Sequence, residues 1–585
     1  MQITERLVQA ALGRIQADLM ICNAYLVNVY TAEIETVDIS VLDGYIVRVE
    51  KIEKRGSYTA KTVVDATGKY LIPGLIDAHS HVEMSFMTAT SFAEAVLPHG
   101  TTAGIFDTHD IGNVSEECLL WFGKEFAATP LKGYITVPPC IPSSPGLEDA
   151  GIIMDLDKLQ YCHNVDNFIA IGETMDFNRV VSAEPEMMKM LSWAKQLNLC
   201  IDGHCPELRG DALQAYVAAG PSTDHEFTSI EEALEKYRLG MKIVVRRGSL
   251  AEPYNAGELV SRIKDTSHLL LATDGCITLE TIVRKGTMIQ ALRMIVEEGV
   301  DPILAVQMGT INVAKAYGLD RKIGAIAPGL CADMILVNDL KDFVIDSVYV
   351  DGKKIPEAGK FKLPHFQFPE NVMNTISLRQ VKADDFKIKA PMENGNVQVH
   401  VLDVWEDKLI SGNYVTNVEV KNGQILPDIK RDLLKISVWH RYEKNGSHTT
   451  ALVRGFGFKK GAIAGSIAQD SQNIVVIGTN DDDMAIAVNA VTKMQGSVVF
   501  VADGKIQSAI ELRFGGIMNE KLHPEEILQK FEEFNEITQK FGGKFKNPAF
   551  PLSLMLTCAC IPDLKITNRS LVDALKGEGI SIFSE

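Results

Sequence analysis

The alternation of apolar and polar residues first indicates a β-rich segment near the start of the chain. Short apolar runs fill residues 17–66, and two of them flank Asp43-Gly44, a dipeptide that favours the tight turn of a β-hairpin. A related pattern returns much later, around Asp351-Gly352. We expect the two pieces, residues 1–70 and 320–365, to fold together into one small β-sandwich domain, with the chain between them inserted as a separate core.

The inserted segment, residues 71–319, alternates strand-like and helix-like patterns. Amphipathic stretches separate most of the strand candidates. The clearest is SIEEALEKYRLG, in which Ser229 and Glu232 form a capping box and Gly240 suits the C-terminal cap. Eight strands over about 250 residues are typical of an α/β fold of the (β/α)8 TIM-like barrel type, although periodicity alone also fits an open doubly wound sheet. The eight candidates are LIPGLIDAH, TTAGIFDTH, LKGYITVPP, NFIAIGETMD, LCIDGH, PSTDHEF, MKIVVRRG and HLLLATDG.

The pattern changes again from about residue 366. Hairpin signals occur at Asn422-Gly423 and Asp503-Gly504, and EEILQKFEEFNEITQKFG is an amphipathic run that ends at Gly542. We therefore expect residues 366–585 to form a C-terminal α+β domain.

Composition narrows the function classes. The 585 residues include 58 Lys+Arg and 76 Asp+Glu, which gives a net charge of −18 and argues against nucleic acid as a partner. No apolar run is long enough for a membrane span, and no secretory signal pattern opens the chain. The ten cysteines include no CxxC pair, so we expect reduced thiols in a cytoplasmic protein.

The candidate chemistry lies at the ends of the predicted strands. The first strand ends in PGLIDAHSH, and residues two apart on a strand share a face, so His79 and His81 point the same way. That pair alone also fits two histidines on an exposed strand. Four further strands end in a residue that can bind a metal, and a coincidence at five of eight ends is much less probable. These further residues are Glu173, His204, His225 and Asp274.

Six ligands exceed what one catalytic metal with an open position needs, so the set suits two divalent ions. The expected division places His79, His81 and Asp274 on one ion. His204 and His225 hold the other, and Glu173 bridges the two. Water between two such ions loses a proton near neutral pH, and Asp274 is placed to accept that proton and return it to a leaving group.

These motifs resemble the amidohydrolase superfamily, whose pattern is the HxH motif followed by single ligands on strands four, five, six and eight. The sequence GAIAPGLCADMILV resembles the segment in which chains of this superfamily pass from the barrel back to the small β domain. Within the superfamily the chain is most similar to the bacterial adenine deaminases, through VLPHGTT, GETMDF, DGHCPELRG and the long stretch RGFGFKKGAIAGSIAQDSQNIVVIGTNDDDMAIAVN. The resemblance spans nearly the whole chain.

The resemblance implies hydrolytic deamination of adenine to hypoxanthine and ammonia, by a metal-bound hydroxide with Asp274 as proton shuttle. Glu173 stands where many relatives have a carboxylated lysine that bridges the metals. The implied cofactors are two Mn²⁺ or Fe²⁺ ions, and Zn²⁺ also accepts these nitrogen and oxygen ligands. The implied partners are a small-molecule purine and further copies of the chain in a homo-oligomer.

Four residues are candidates for binding the substrate: Glu83, Asp107, His109 and Arg246. The first three have alternative interpretations, as ligands of a further ion or as hydrogen-bonding supports of the metal ligands. Arg246 and Arg247 end the seventh strand, and we expect one of them to face the pocket and the other to face solvent.

The chain departs from the family pattern at Met84, Gly275, Gln469 and Gln472, which replace a serine, an aspartate and two histidines. These changes spare the six predicted ligands and leave the substrate open. The alternative is therefore the same dinuclear chemistry on a different purine or on a cyclic or N-acyl amide. A catalytically inactive barrel used for binding is a third hypothesis, but such proteins typically lack some ligands, and all six are present.

Overall fold

The structure is a computed structural model, which describes residues 2–54, 56, 58–165, 167–248, 252–275, 277–405, 410–561 and 563–584. After a helix at Ile3–Ala11, the first layer is an eight-stranded mixed sheet built from two distant parts of the chain. Met334 pairs with Pro73 and Leu336 with Leu71, so the late strands lie antiparallel to an early one. The eight strands are Ala17–Asn28, Glu33–Leu42, Tyr45–Lys51, Ala60–Asp65, Tyr70–Pro73, Met334–Val337, Ile345–Val350 and Lys353–Lys354.

Both predicted hairpins of this sheet are confirmed. Leu42 pairs with Tyr45 around Asp43-Gly44, and Val350 pairs with Lys353 around Asp351-Gly352. All four turn residues have positive φ, between 47° and 85°, which is the backbone of a type I′ turn that Asp-Gly tolerates well. Local turn chemistry therefore fixes the register of these strands.

Eight parallel strands follow between the two parts of the first sheet, at the positions the apolar runs predict. They form one sheet of five strands and one of three. The five are Leu75–Ser80, Thr101–Asp107, Lys132–Val137, Phe168–Thr174 and Cys200–Gly203, and the three are Thr223–Asp224, Lys242–Arg246 and Leu269–Ala272.

Helices occur between most of these strands and pack on them through buried aliphatic and aromatic residues such as Phe106, Phe122 and Phe126. The helix predicted from its capping box is confirmed at Ile230–Arg238, where the Ser229 hydroxyl accepts the N–H of Glu232. The α-helices of this part are Ala89–Val96, His109–Val114, Glu116–Ala127, Leu156–Cys162, Phe177–Val181, Pro185–Gln196, Gly210–Ala219, Ile230–Arg238, Ala256–Ser261, Met288–Glu297, Pro302–Met308 and Ile311–Ala316.

The C-terminal part contains a ten-stranded sheet and a three-stranded sheet, with helices at Glu370–Met373, Asp481–Met494 and Pro524–Lys540. Its two predicted hairpins and its amphipathic helix are confirmed. The ten strands are Ile388–Lys389, Gly395–Asp403, Gly412–Lys421, Gln424–Ile425, Leu434–Trp439, His448–Arg454, Ala462–Gly465, Ile474–Gly478, Ser497–Ala502 and Lys505–Glu511, and the three are Leu564–Ile566, Leu571–Asp573 and Glu578–Ile580.

Along the described residues, no helix combines the length and the apolar character that a membrane span requires.

Candidate metal centre and active site

Two histidines at the end of the first parallel strand point to the same side, as their spacing predicts. His79 belongs to the strand Leu75–Ser80, and His81 follows it directly. Their Nε2 atoms lie 3.3 Å apart, and both side chains are buried. This separation lets both rings contact the same carboxylates.

Glu173 lies at the centre of the cluster, at the end of the fourth parallel strand. Its Oε1 is 2.9 Å from Nδ1 of His204 and 2.8 Å from Nε2 of His225. The same oxygen is 3.5 Å from Nε2 of His79, and Oε2 is 3.7 Å from Nε2 of His81. Four imidazoles from three different strand ends therefore surround one buried carboxylate.

Asp274 completes the cluster from the end of the eighth strand. Its backbone N–H donates to the carbonyl of His79 (2.9 Å), which links the last strand to the first. Its Oδ1 is 3.4 Å from Nε2 of His79 and 3.5 Å from Nε2 of His81. The structure thus brings all six predicted ligands together.

The cluster has the donor chemistry of a divalent metal site. Its nitrogen and carboxylate oxygen donors suit ions such as Mn²⁺, Fe²⁺ and Zn²⁺. Nδ1 of His81 is buried with no hydrogen-bond partner, as expected for a site whose ligand is a cation. The residues present therefore fit a divalent metal.

One compact donor group pairs His204 with His225, beside Glu226, as the predicted division has it, but two others cut across that division. One compact group joins His79 and His225 with Glu173 and Asp274, and another joins His81 and His109 with Asp107 and Glu173. The His79 and His225 rings stack with centroids 4.1 Å apart. Glu173 is common to both of these groups.

Electrostatics favour the charged forms of Glu173 and His81 in this cluster. Burial opposes ionisation of Glu173, but His204 and His81 outweigh it and hold the pKa of that carboxyl well below its usual range. Burial likewise disfavours the charged form of His81, yet Glu173 and Asp274 raise its pKa to about 9. The carboxylates are therefore ionised at neutral pH and attract cationic charge, either protons or metal ions.

Arg246 faces the pocket beside Asp274, which matches the expectation for one of the two arginines. Its Nη1 donates to Oδ2 of Asp274 (2.6 Å) and contacts Glu226, and its Nε lies 3.2 Å from Oε1 of Glu252. Arg247 differs from the expectation, because it is buried and paired with Glu298 (2.6 Å) instead of meeting solvent.

Asp107 lies behind the metal cluster and supports Glu173. Its Oδ2 accepts the backbone N–H of Glu173 (2.8 Å) and the hydroxyl of Thr136 (3.0 Å), while Oδ1 accepts the N–H of His109 (3.1 Å). Both oxygens of this fully buried carboxylate are therefore used within the protein.

Glu83 and the two glutamines form a second polar cluster beside the site. Glu83 accepts the N–H of Ile111 (3.2 Å), and burial together with Asp110 raises the pKa of Glu83 to about 8. The side-chain amides of Gln469 and Gln472 donate to the carboxylate of Asp110. Two of the four positions that depart from the family pattern, Gln469 and Gln472, therefore meet beside one buried acidic pair.

Sequence reasoning missed Asp470, which comes from the C-terminal part. Its Oδ1 is 2.9 Å from Nε2 of His109, and its carboxylate also accepts from the hydroxyl of Ser143. The stretch that contains it carries the family resemblance, but only the tertiary contact places Asp470 beside His109.

The cluster opens to a pocket between the parallel strands and the C-terminal part. Apolar side chains form much of its wall, which suits a flat heterocycle. They are Met84, Met175, Leu554 and Ile561, and the polar lining includes Arg246, Glu226 and Asp274.

Comparison with known proteins places the chain in a family. Residues 70–355 match the amidohydrolase family, and residues 408–578 match the adenine deaminase C-terminal domain. The adenine deaminase of Archaeoglobus fulgidus is 36% identical over 569 residues, covering 97% of this chain and 96% of that protein. Those of Geobacillus kaustophilus (35% over 580 residues; 98% and 98%) and Methanococcoides burtonii (34% over 584 residues; 99% and 98%) are similar over the same extent. The chain belongs to the adenine deaminase family of amidohydrolases.

Proposed function

We propose that this chain hydrolyses adenine to hypoxanthine and ammonia with two bound divalent metal ions. One observation carries the proposal: four imidazoles and two carboxylates converge at one end of the parallel strands. The full-length relatives named adenine deaminase supply the substrate class.

The proposal includes a closed (β/α)8 barrel over residues 71–319. The backbone bond from Asp274 to His79 supports closure between the eighth strand and the first, and the bond from Ser222 to Ile201 (2.9 Å) supports continuity between the two parallel sheets. Residues 1–70 with 320–365 would form the small β-sandwich domain, and residues 366–585 the C-terminal α+β domain.

We propose that the six converging residues would hold the two ions, His79, His81 and Asp274 the first, His204 and His225 the second, and Glu173 both. The contacts of Asp274 with the histidine pair and the grouping of His204 with His225 support this division. Mn²⁺ or Fe²⁺ is the expected pair. When bound, such ions activate water as a nucleophile at neutral pH and stabilise negative charge that develops on the substrate.

Asp274 is the proposed proton shuttle. Its carboxylate faces both the histidine pair and the pocket, and Arg246 outweighs burial to hold its pKa well below the usual range, so it can accept a proton. It takes a proton from water as the water oxygen bonds to the amino-bearing ring carbon and the electron pair of the ring C=N bond moves onto the ring nitrogen. It then delivers that proton to the exocyclic amine, the ring C=N bond re-forms as the bond to the amine breaks, and ammonia leaves. The resulting hydroxypurine tautomerises to hypoxanthine.

The four substrate candidates divide by their position. His109 and Arg246 line the pocket and are the proposed contacts to the purine. Asp107 and Glu83 lie behind it, where their hydrogen bonds hold Glu173 and Ile111. We propose that these two carboxyls act on the substrate through the residues they position.

The experiment is a turnover assay on the purified chain loaded with Mn²⁺ or Fe²⁺, with metal content measured on the same sample. We expect ammonia and hypoxanthine to appear in equal amounts from adenine. The same assay over other purines and over cyclic and N-acyl amides tests the alternative, which the changes at Met84, Gly275, Gln469 and Gln472 favour. Turnover of one of those compounds without turnover of adenine would replace the proposed substrate and keep the chemistry.

We also propose that the enzyme works in the cytoplasm as a homo-oligomer. Free thiols at all nine described cysteines support a reducing compartment. Light scattering on the purified chain tests the oligomeric state, and a monomer at micromolar concentration would contradict it.

A further inference from the structure

Two cysteines in the wall of the pocket lie close to each other, and both contact the same carboxylate. The sulfur atoms of Cys558 and Cys560 are 3.3 Å apart. Sγ of Cys558 lies 3.4 Å from Oδ2 of Asp470, and Sγ of Cys560 lies 3.5 Å from the same oxygen. Asp470 and Cys558 are buried, and Cys560 is half-buried at the pocket surface.

The imidazole of His109 contacts the carboxylate of Asp470 from the side of the parallel strands. Nε2 of His109 is 2.9 Å from Oδ1 of Asp470, and the His109 ring is 4% exposed. The cluster therefore joins two sulfur atoms, one carboxylate and one imidazole, contributed by both sides of the pocket. None of the four belongs to the six residues assigned to the dinuclear centre.

We propose that Cys558, Cys560 and Asp470 form a further metal site beside His109, which binds a thiophilic divalent cation of the zinc class. Two thiolates and one carboxylate are donors that Zn²⁺ accepts in tetrahedral geometry, with one position left for a further ligand. Thiolate ligands also discriminate against Mn²⁺, which prefers oxygen and nitrogen donors. The site would thus take a different ion from its neighbour.

The distances agree with this geometry. Zinc bonds of about 2.3 Å to sulfur and about 2.0 Å to oxygen place tetrahedral neighbours roughly 3.5 to 3.8 Å apart. The separations between sulfur and carboxylate oxygen are already 3.4 and 3.5 Å, and the sulfur–sulfur separation is 3.3 Å. Among these three donors, binding therefore requires shifts of about half an ångström or less.

The simpler alternative is that the thiols only donate S–H hydrogen bonds to Asp470. Without a metal they are protonated, because the Cys560 thiol and burial raise the pKa of Cys558 well above its usual value. A cation of the zinc class would displace both thiol protons and form two bonds to sulfur. Proton release and sulfur–metal charge transfer therefore separate the two interpretations.

The test is a titration of the full-length, manganese-loaded protein with Cd²⁺, which reports thiolate ligation by an ultraviolet sulfur-to-metal charge-transfer band. The dinuclear centre contains no sulfur ligand, so it is silent in this measurement. We expect a band that saturates at one equivalent of Cd²⁺ per chain and is lost in the Cys558→Ser/Cys560→Ser variant. Cys200→Ser is the matched control, because Cys200 also lies near a carboxylate, with Sγ 3.9 Å from Oδ1 of Asp202.

The site is refuted if the wild type gives no band, or if the double variant keeps the band at full amplitude. If circular dichroism shows that the double variant does not fold, the single variant Cys560→Ser replaces it in the titration, because that side chain is only half-buried. We expect Cys560→Ser to bind Cd²⁺ at least tenfold more weakly than the wild type. Adenine turnover measured in parallel keeps the two proposals distinct. Turnover without the band contradicts this site, and the band without turnover contradicts only the proposed substrate.

Discussion

Asp274 is suited to proton transfer because its two oxygens have different partners. Oδ1 faces the His79–His81 pair, and Oδ2 accepts from Arg246. The guanidinium keeps the carboxylate ionised and fixes its rotation, while Oδ1 stays directed at the histidine pair. This arrangement supports the proposal that one side chain both binds a metal and carries a proton.

Replacing this carboxylate should separate chemistry from folding. Asp274→Asn keeps the size and removes the proton acceptor, so we expect turnover to fall by about 10²–10⁴-fold while circular dichroism stays unchanged. Asp211→Asn, at an exposed acid in the first turn of the helix Gly210–Ala219, should keep full activity. An active Asp274→Asn enzyme would remove Asp274 from the mechanism.

Asp107 should matter for metal affinity although it lies behind the ligands. Its two oxygens accept three hydrogen bonds, including the backbone N–H of Glu173, and an amide with one oxygen cannot accept them all. We expect Asp107→Asn to lower metal affinity by about 10–100-fold, as for other supports of metal ligands. Thr136→Val removes one of the three bonds and should cost less. Equal metal affinity in wild type and Asp107→Asn, measured by equilibrium dialysis, would contradict this function.

At the scale of elements, the helix Ile230–Arg238 is tied to the strand ends by a buried charge network. Lys236 is fully buried, and its ammonium donates to Asp224 (2.9 Å), Glu232 (2.6 Å) and the carbonyl of Cys205 (2.7 Å). Cys205 and Asp224 are direct neighbours of the predicted ligands His204 and His225. The network therefore holds the helix and two ligand-bearing segments in one arrangement.

Removing this ammonium should destabilise the protein strongly. Lys236→Met leaves two buried carboxylates without their cation, and we expect the free energy of unfolding to fall by about 3–5 kcal/mol. Urea denaturation followed by fluorescence measures the change. Arg238→Met, at an exposed position of the same helix, should change it by less than about 0.5 kcal/mol. A neutral Lys236→Met substitution would show that the network is not needed for stability.

At the scale of the whole molecule, the C-terminal part closes one side of the pocket. Asp470 meets His109, Gln469 meets Asp110, and Arg569 pairs with Asp149 (2.5 Å). Polar contacts thus connect two parts of the chain that are more than 300 residues apart. Substrate access and the chemistry of the pocket wall depend on this contact as well as on the parallel strands.

Metal binding should stabilise the whole molecule. The site clusters buried histidines and carboxylates that are costly to hold together without a cation, so metal binds the folded state in preference to the unfolded chain. At a Mn²⁺ concentration 1,000 times the dissociation constant, the free energy of unfolding should rise by about 4 kcal/mol per site. Thermal unfolding with and without a chelator measures this effect, and identical melting temperatures would contradict a metal site at these residues.

Much of this protein follows from the sequence because the underlying signals are local. The Asp-Gly and Asn-Gly turns fix hairpin registers, the Ser229 cap fixes a helix start, and a spacing of two directs His79 and His81 to one side. Metal-capable residues at five strand ends predict a common site, since parallel strands present those ends at one edge.

The tertiary structure alone decided the contacts between distant parts of the chain. Asp470 meets His109 across the pocket and contacts Cys558 and Cys560, and Asp107 accepts the backbone N–H of Glu173. Arg247 turns to Glu298, away from solvent. Such pairings depend on how whole elements pack, and a pattern of apolar and polar positions records which face of an element is buried but not which side chain lies opposite it.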